Sequence, residues 1–192
     1  MSATHSCPAS VPFAPHPLYS AAYPLDDFYA ARRLPLPVME QIQADQIPEP
    51  YRSLLVHDSD MTSRLETFHQ SAIHIRALAR HQHGREYFRE VVLELDGSRQ
   101  PVEFGAAKIN LAFFPAQAHA EIRREWRPLG GILRDFGLVF SSRPGAWFRV
   151  AADSFIGGAL GLSGAPFLFG RRNTLLDDRE RPLAEIVEIL PP

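Results

Sequence analysis

The stretch EYFREVVLEL alternates with a period of two, so Tyr87, Arg89, Val91, Leu93 and Leu95 fall on one side of a strand and Phe88, Glu90, Val92 and Glu94 on the other. The first set is the apolar face, and Arg89 interrupts it. Upstream, Ile73, Ile75, Ala77 and Ala79 alternate with His74, Arg76 and Arg80, so the two stretches predict a hairpin broken at HQHG. Downstream, Gly97-Ser98 marks a turn, and residues 101–114 predict a long strand with Gly105 as a bulge or a point of close approach. Residues 115–126 predict a short polar helix, and ILRDFG a helical turn ended by Gly137. Residues 147–155, 167–176 and 183–190 predict three further strands, the last two joined by the polar turn DDRER. Six strands joined mainly by hairpins, with helices in front and between the third and fourth, imply an α+β domain with a six-stranded antiparallel sheet flanked by helices.

The front of the chain reads differently. Residues 1–50 hold nine of the seventeen prolines, a density expected to forbid long helices and paired strands. Phe13, Leu18, Tyr19, Tyr23, Leu25, Phe28 and Tyr29 are too many large apolar groups for a solvated linker, so part of this segment is expected to lie on the domain. The division is therefore a Pro-rich arm at residues 1–47 and a domain at residues 48–192, with residues 1 to 35 dispensable for folding. Residues 38–46 and 48–56 each read as a short helix. In HDSDMTSRLETFHQ, Asp58, Ser59 and Asp60 are N-cap candidates ahead of Met61, Leu65 and Phe68 at helical spacing. Met61 then sits in a first turn, where unpaired amides can take an anion.

A net charge of -2 with both signs mixed gives no broad basic field, so neither nucleic acid nor an anionic membrane is the expected partner. Apart from Lys108 every basic side chain is Arg, which makes planar, bidentate contacts to carboxylates and so suits recognition of a small organic acid. The single Cys7 excludes an intrachain disulfide and fits a reducing compartment. With no basic leader followed by an uninterrupted apolar run, and no apolar stretch near membrane-spanning length, the expectation is a cytoplasmic protein. His81 and His83 are the only close histidine pair and lack further ligands, so no metal is expected; GxSxG, GxGxxG and Walker-type loops are absent. Arg89 remains the first candidate for chemistry. A guanidinium on a dry face must be answered by a carboxylate, a phosphate or a bound anion, and an internal Glu would serve as well as a ligand.

Four segments, LLVHDSDMTSRLE, YFREVVLELDG, PLGGIL followed by SS, and FGRRNTLL followed by RPLAEIVEILPP, occur in an order and at distances that resemble the chorismate pyruvate-lyase family over about residues 51–192. The resemblance implies an antiparallel sheet with the ligand in an internal cavity under helical flaps. It implies a monomeric carbon–oxygen lyase that converts chorismate to 4-hydroxybenzoate and pyruvate without a cofactor, in aromatic acid and ubiquinone biosynthesis. Carried over by position, it makes Arg89 the group on the ring carboxylate, and Met61 and Leu129 the residues whose backbone contacts the product. A glutamate near the C-terminus would face the hydroxyl end of the ring. Arg89 and that glutamate would then be the catalytic pair. Glu188 keeps the spacing to the last prolines, whereas counting from Pro182 favours Glu185, and a one-residue bulge in the last strand would reconcile the two counts. Arg171 and Arg172 match the family's GRR, either supporting a second substrate carboxylate or pairing with Asp177 and Asp178. The same fold also serves as a non-catalytic effector-sensing (UTRA-like) module in bacterial transcription regulators, which carry an N-terminal helix-turn-helix that the Pro-rich arm is not expected to form. Small aromatic acid binding without chemistry, or a lyase acting on a related enolpyruvyl acid, are the alternatives. Incubation with chorismate separates them.

Overall fold

A computed structural model describes residues 20–192. Cys7, Phe13, Leu18 and Tyr19, with the first four prolines, lie outside the described residues. The chain forms helices α1 (Leu25–Arg32), α2 (Tyr51–Leu55), α3 (Met61–His69), α4 (Ala116–Arg124), α5 (Leu129–Asp135) and α6 (Ser154–Ala159). Its strands are β1 (Met39–Ile42), β2 (Ile73–His83), β3 (Glu86–Leu95), β4 (Pro101–Asn110), β5 (Ser141–Ala151), β6 (Phe167–Leu176) and β7 (Pro182–Leu190). All seven strands join one antiparallel sheet in the order β1-β5-β6-β7-β4-β3-β2. The α+β class and the antiparallel sheet are as expected, and the strand count is one higher.

The extra strand lies where a helix was expected. Residues 39–42 pair with Trp147–Val150 of β5, and only residues 44–46 turn helically, as a short 3₁₀ segment. Prolines 35 and 37 precede the strand without entering it, so no ladder hydrogen bond is lost and an edge position is open to it. Helix α6 was also not foreseen; Asp153 caps it by accepting from the Ile156 amide at 2.8 Å.

Both faces of the sheet are covered, which alters the reading of β3. Its odd residues face α2 to α5, but its even residues are just as buried, because α1 and α6 cover the second face. Phe88 and Val92 pack there with Leu25, Phe28, Tyr29, Phe104, Phe148 and Ile156. Glu90 tolerates this face because Arg32 of α1 pairs with it, and Glu94 because Arg76 does. Tyr29 donates to Asp153 at 2.8 Å, tying α1 to the cap of α6.

The proline-rich front thus supplies core, and its aromatic residues say so energetically. We propose that the segment before residue 48 is an arm whose packed part, α1 and β1, is needed for stability. Phe28 is 2% exposed and Tyr29 1%. Phe28→Ala should cost about 3–5 kcal/mol, and removal of residues 1–35 should cost more than that or abolish cooperative unfolding. Urea denaturation followed by circular dichroism checks this; an unchanged midpoint for the truncated chain would refute it.

Candidate functional site

The site lies between the odd-residue face of β3, β4, β7 and β6 and the N-terminal turns of α3 and α5. Antiparallel register sets its floor in rows: Arg89 opposite Ala107 opposite Ile186, then Val91 opposite Gly105 opposite Glu188 opposite Arg171. Glu103, opposite Leu93, begins the next row. The roof is held together by two devices. Asp60 caps α3 by accepting from the Ser63 amide at 2.8 Å, and Arg134 of α5 reaches back to Asp60 at 3.6 Å and Glu66 at 3.2 Å. A Cβ at Gly130 would collide with the Asp60 side chain, so only glycine lets the two helices approach this closely. Between floor and roof is a cavity of about 60 Å³, several times what one water needs on the same measure. Its apolar wall includes Ile75, Val91, Leu93, Leu175 and Ile186.

Arg89 is 3% exposed and lines this cavity. Among the described residues no carboxylate lies within 4.0 Å of it, and its Nε and Nη1 have no hydrogen-bond partner. Among the described residues no internal Glu therefore pairs with it directly. Burial pulls its guanidinium down to about 10, partly offset by Tyr87 and Glu125, which leaves it charged at neutral pH. Tyr87 itself is engaged elsewhere, donating to Glu125 at 2.5 Å.

Met61 and Leu129 stand on the roof, 4% and 6% exposed, in the first turns of α3 and α5. The two competing glutamates are on opposite faces. Glu188 lines the cavity, while Glu185 points to the other face, within 3.4 Å of Lys108 and 3.1 Å of Arg172. The register shift between Leu175 and Leu176 on β6 supplies the extra residue near the start of β7 that separates the two sequence counts.

Arg171 takes partners that the sequence did not suggest. It is fully buried, pairs with Glu188 at 2.5 Å, and donates to the carbonyls of Leu55 at 3.1 Å and His57 at 3.0 Å. Asp177 and Asp178 are not involved; Asp177 pairs with Arg181 instead. His57 beside Arg171 is pulled down to about 4 by burial first and then by that charge, so it stays neutral. Glu188 and the two carbonyls thus answer Arg171 inside the fold, with its Nη2 left unpartnered.

One cavity residue escaped the sequence reading altogether. Glu103 is 4% exposed, lines the cavity, and has no partner for Oε2. Burial, with Glu188 nearby and only partly countered by Arg171, raises its carboxyl well above the usual range. The missed signal was parity: Glu103 shares a face with Gly105 and Ala107, and Ala107 is the cross-strand neighbour of Arg89.

A raised carboxyl binds its proton more tightly folded than unfolded, so the folded state loses ground as pH rises from about the ordinary Glu value of 4.5 to the folded-state value. Glu103→Gln removes that loss. The variant should gain on the parent by about 1.4 kcal/mol per pH unit across that window, with no gain below pH 4. Urea midpoints from pH 4 to 7 measure it, and parallel curves for the two proteins would show that Glu103 is not held protonated.

No family model matches this sequence, and no curated protein matches it. Solved structures do share the fold. PhnF from Mycobacterium smegmatis is 14% identical with a TM-score of 0.52, covering 69% of this chain and 63% of that one. The effector domain of PhnF from the same organism is 13% identical with a TM-score of 0.51, covering 69% of this chain and 88% of that one. The ligand-binding domain of a protein classed as a GntR-family transcriptional regulator from Bordetella bronchiseptica is 14% identical with a TM-score of 0.49, covering 64% of this chain and 86% of that one. This chain thus spans less than two thirds of full-length PhnF and most of its effector domain. The expectation of a carbon–oxygen lyase in ubiquinone biosynthesis is corrected by the matches to PhnF and to its effector domain, which share the fold at TM-scores of 0.52 and 0.51. The physical reason is that the four segments behind the lyase resemblance mark strands and helix starts of the fold, and a fold by itself carries no particular reaction.

Proposed function

We propose that this chain is a non-catalytic domain that binds a small aromatic acid and senses it. The observation that carries this reading is Arg89, a buried guanidinium that lines a cavity and has no carboxylate within 4.0 Å among the described residues. A charge in that position is stable only if something occupies the space before it, and a ligand carboxylate fits the planar fork in two parallel hydrogen bonds. The walls above and below are aliphatic and suit the faces of a ring. Met61 and Leu129 would contact that ring from the roof, and Glu188, held by Arg171, would face its far end. The fold shared with an effector domain supports sensing over chemistry. Because α3 and α5 form the roof and carry ion pairs to each other, a ligand under them would bias how firmly the roof closes.

Titration calorimetry with 4-hydroxybenzoate tests the reading. Arg89→Ala should lose about 2–5 kcal/mol of binding, because the ligand carboxylate would be buried unpaired, and Arg89→Lys should also bind poorly, since a point charge does not replace the fork. Circular dichroism controls for folding. Parent-like affinity in folded Arg89→Ala would overturn the site, and release of pyruvate from chorismate by the parent would overturn the non-catalytic assignment.

A further inference from the structure

The carboxylate end of the cavity does not explain the other buried group left without a partner inside it. Glu103 stands two rows along β4 from Ala107, about 14 Å of strand from the Arg89 row, so the two side chains enter from opposite ends. Its Oε1 lies 3.1 Å from where a Cβ would sit at Gly105, so any side chain there would crowd the carboxyl; glycine keeps the space before it open. Its Oε2 is buried and unpartnered, which costs stability unless a ligand atom meets it. We propose that Glu103 is a specificity-determining residue whose carboxyl donates a hydrogen bond to an oxygen at the end of the ligand remote from Arg89, so that the site selects a monocarboxylic ring acid with a hydroxyl or carbonyl oxygen opposite its carboxylate.

The charges around Glu103 agree. Glu188 on β7 is paired with Arg171 on β6 at 2.5 Å, Asp60 on α3 has Arg134 on α5, and Arg89 on β3 stands across the cavity. Glu188 is answered by Arg171, and Asp60 at the roof shares Arg134 with Glu66, so the positive charge that faces the cavity without a direct partner is that of Arg89. A second ionised carboxylate at Glu103 would cancel it and repel the acid; the protonated form favoured by burial leaves it for the ligand and supplies an O–H donor. A dicarboxylate would bring one negative charge too many to the Glu103–Glu188 end, so the selected ligand is a monoanion.

The inference rests on the Arg89 reading, and the test separates the two. Three probes share a carboxylate and differ at the opposite ring position: benzoate has no oxygen there, 4-hydroxybenzoate can donate or accept, and 4-formylbenzoate can only accept. Calorimetry on the full chain at pH 6 should show the parent binding 4-hydroxybenzoate and 4-formylbenzoate about tenfold more tightly than benzoate. Glu103→Gln, which keeps an N–H donor, should hold that preference within about threefold. Glu103→Leu should bind all three acids about equally, at the parent's affinity for benzoate. If 4-formylbenzoate binds the parent no better than benzoate, Glu103 does not donate and the proposal fails, without need of any variant. A preference that survives in Glu103→Leu overturns it as well. Arg89→Ala weakens all three acids alike if the underlying reading holds; if it leaves benzoate affinity intact, that reading falls whatever the ratios among the probes. Failure of the parent to bind any of the three overturns both.

Discussion

The buried pair between Arg171 and Glu188 is the constraint on which the site's shape depends. Arg171 is the largest side chain in the fold with no exposure, and it spends its donors in three directions: on Glu188 of the neighbouring strand and on the carbonyls of Leu55 and His57 where α2 runs toward α3. The floor of the cavity is thereby stitched to the segment that leads into its roof. A pair this dry contributes little net stability compared with an apolar pair of the same size, because desolvation offsets most of the Coulomb attraction. What it provides is position. Loss of either member would leave an uncompensated charge at the centre of the sheet, so the arrangement resists drift.

Against that fixed pair, Arg89 and Glu103 stand out as buried polar groups without internal partners in one cavity. Elsewhere the fold answers its buried charges. Glu90 has Arg32, Glu94 has Arg76 and Glu125 has Arg80. Glu90 Oε1, Arg171 Nη2 and Arg172 Nε are single unpartnered atoms of side chains that pair elsewhere, whereas Arg89 and Glu103, beneath α3 and α5, have no ion-pair partner among the described residues. Folding alone gains nothing from groups left open in this way, and the binding function proposed for this cavity would account for them.

The fold explains why a cavity can exist here without weakening the domain. A sheet of seven strands buries one face against α1 and α6 in a continuous apolar cluster, so the structural core does not depend on the other face being filled. The cavity face divides its apolar residues into two clusters, one under α2 and α3 and one under α4 and α5, with the cavity between them. A binding site at the seam of two small clusters can open by moving short helices over a rigid floor.

Much of this was legible in the residues. Period-two alternation identified β2, β3, β4, β6 and β7 and placed Arg89 on the cavity face, because the side-chain direction in a strand follows from position alone. Asp58, Ser59 and Asp60 announced the start of α3, because capping is a contact over three residues, and Asp60 is the one that caps. Sequence did not reveal β1, because an edge strand of four residues between prolines carries too little pattern, and its partner β5 lies more than a hundred residues away. Nor did it reveal that α1 covers the second face of β3, which turned a face read as polar into core. Glu188 and Glu185 could not be separated by counting, since one bulged residue reverses parity and the bulge is fixed by pairing with β6. The chain by itself thus determined the approximate extent of β2, β3, β4, β6 and β7, the face of β3 that carries Arg89, and that a guanidinium there must be answered, all consequences of local geometry and the permanence of the guanidinium charge. Only the tertiary structure decided that no internal carboxylate answers Arg89 and that Glu103 shares its cavity, because both depend on the register of strands that local pattern does not align.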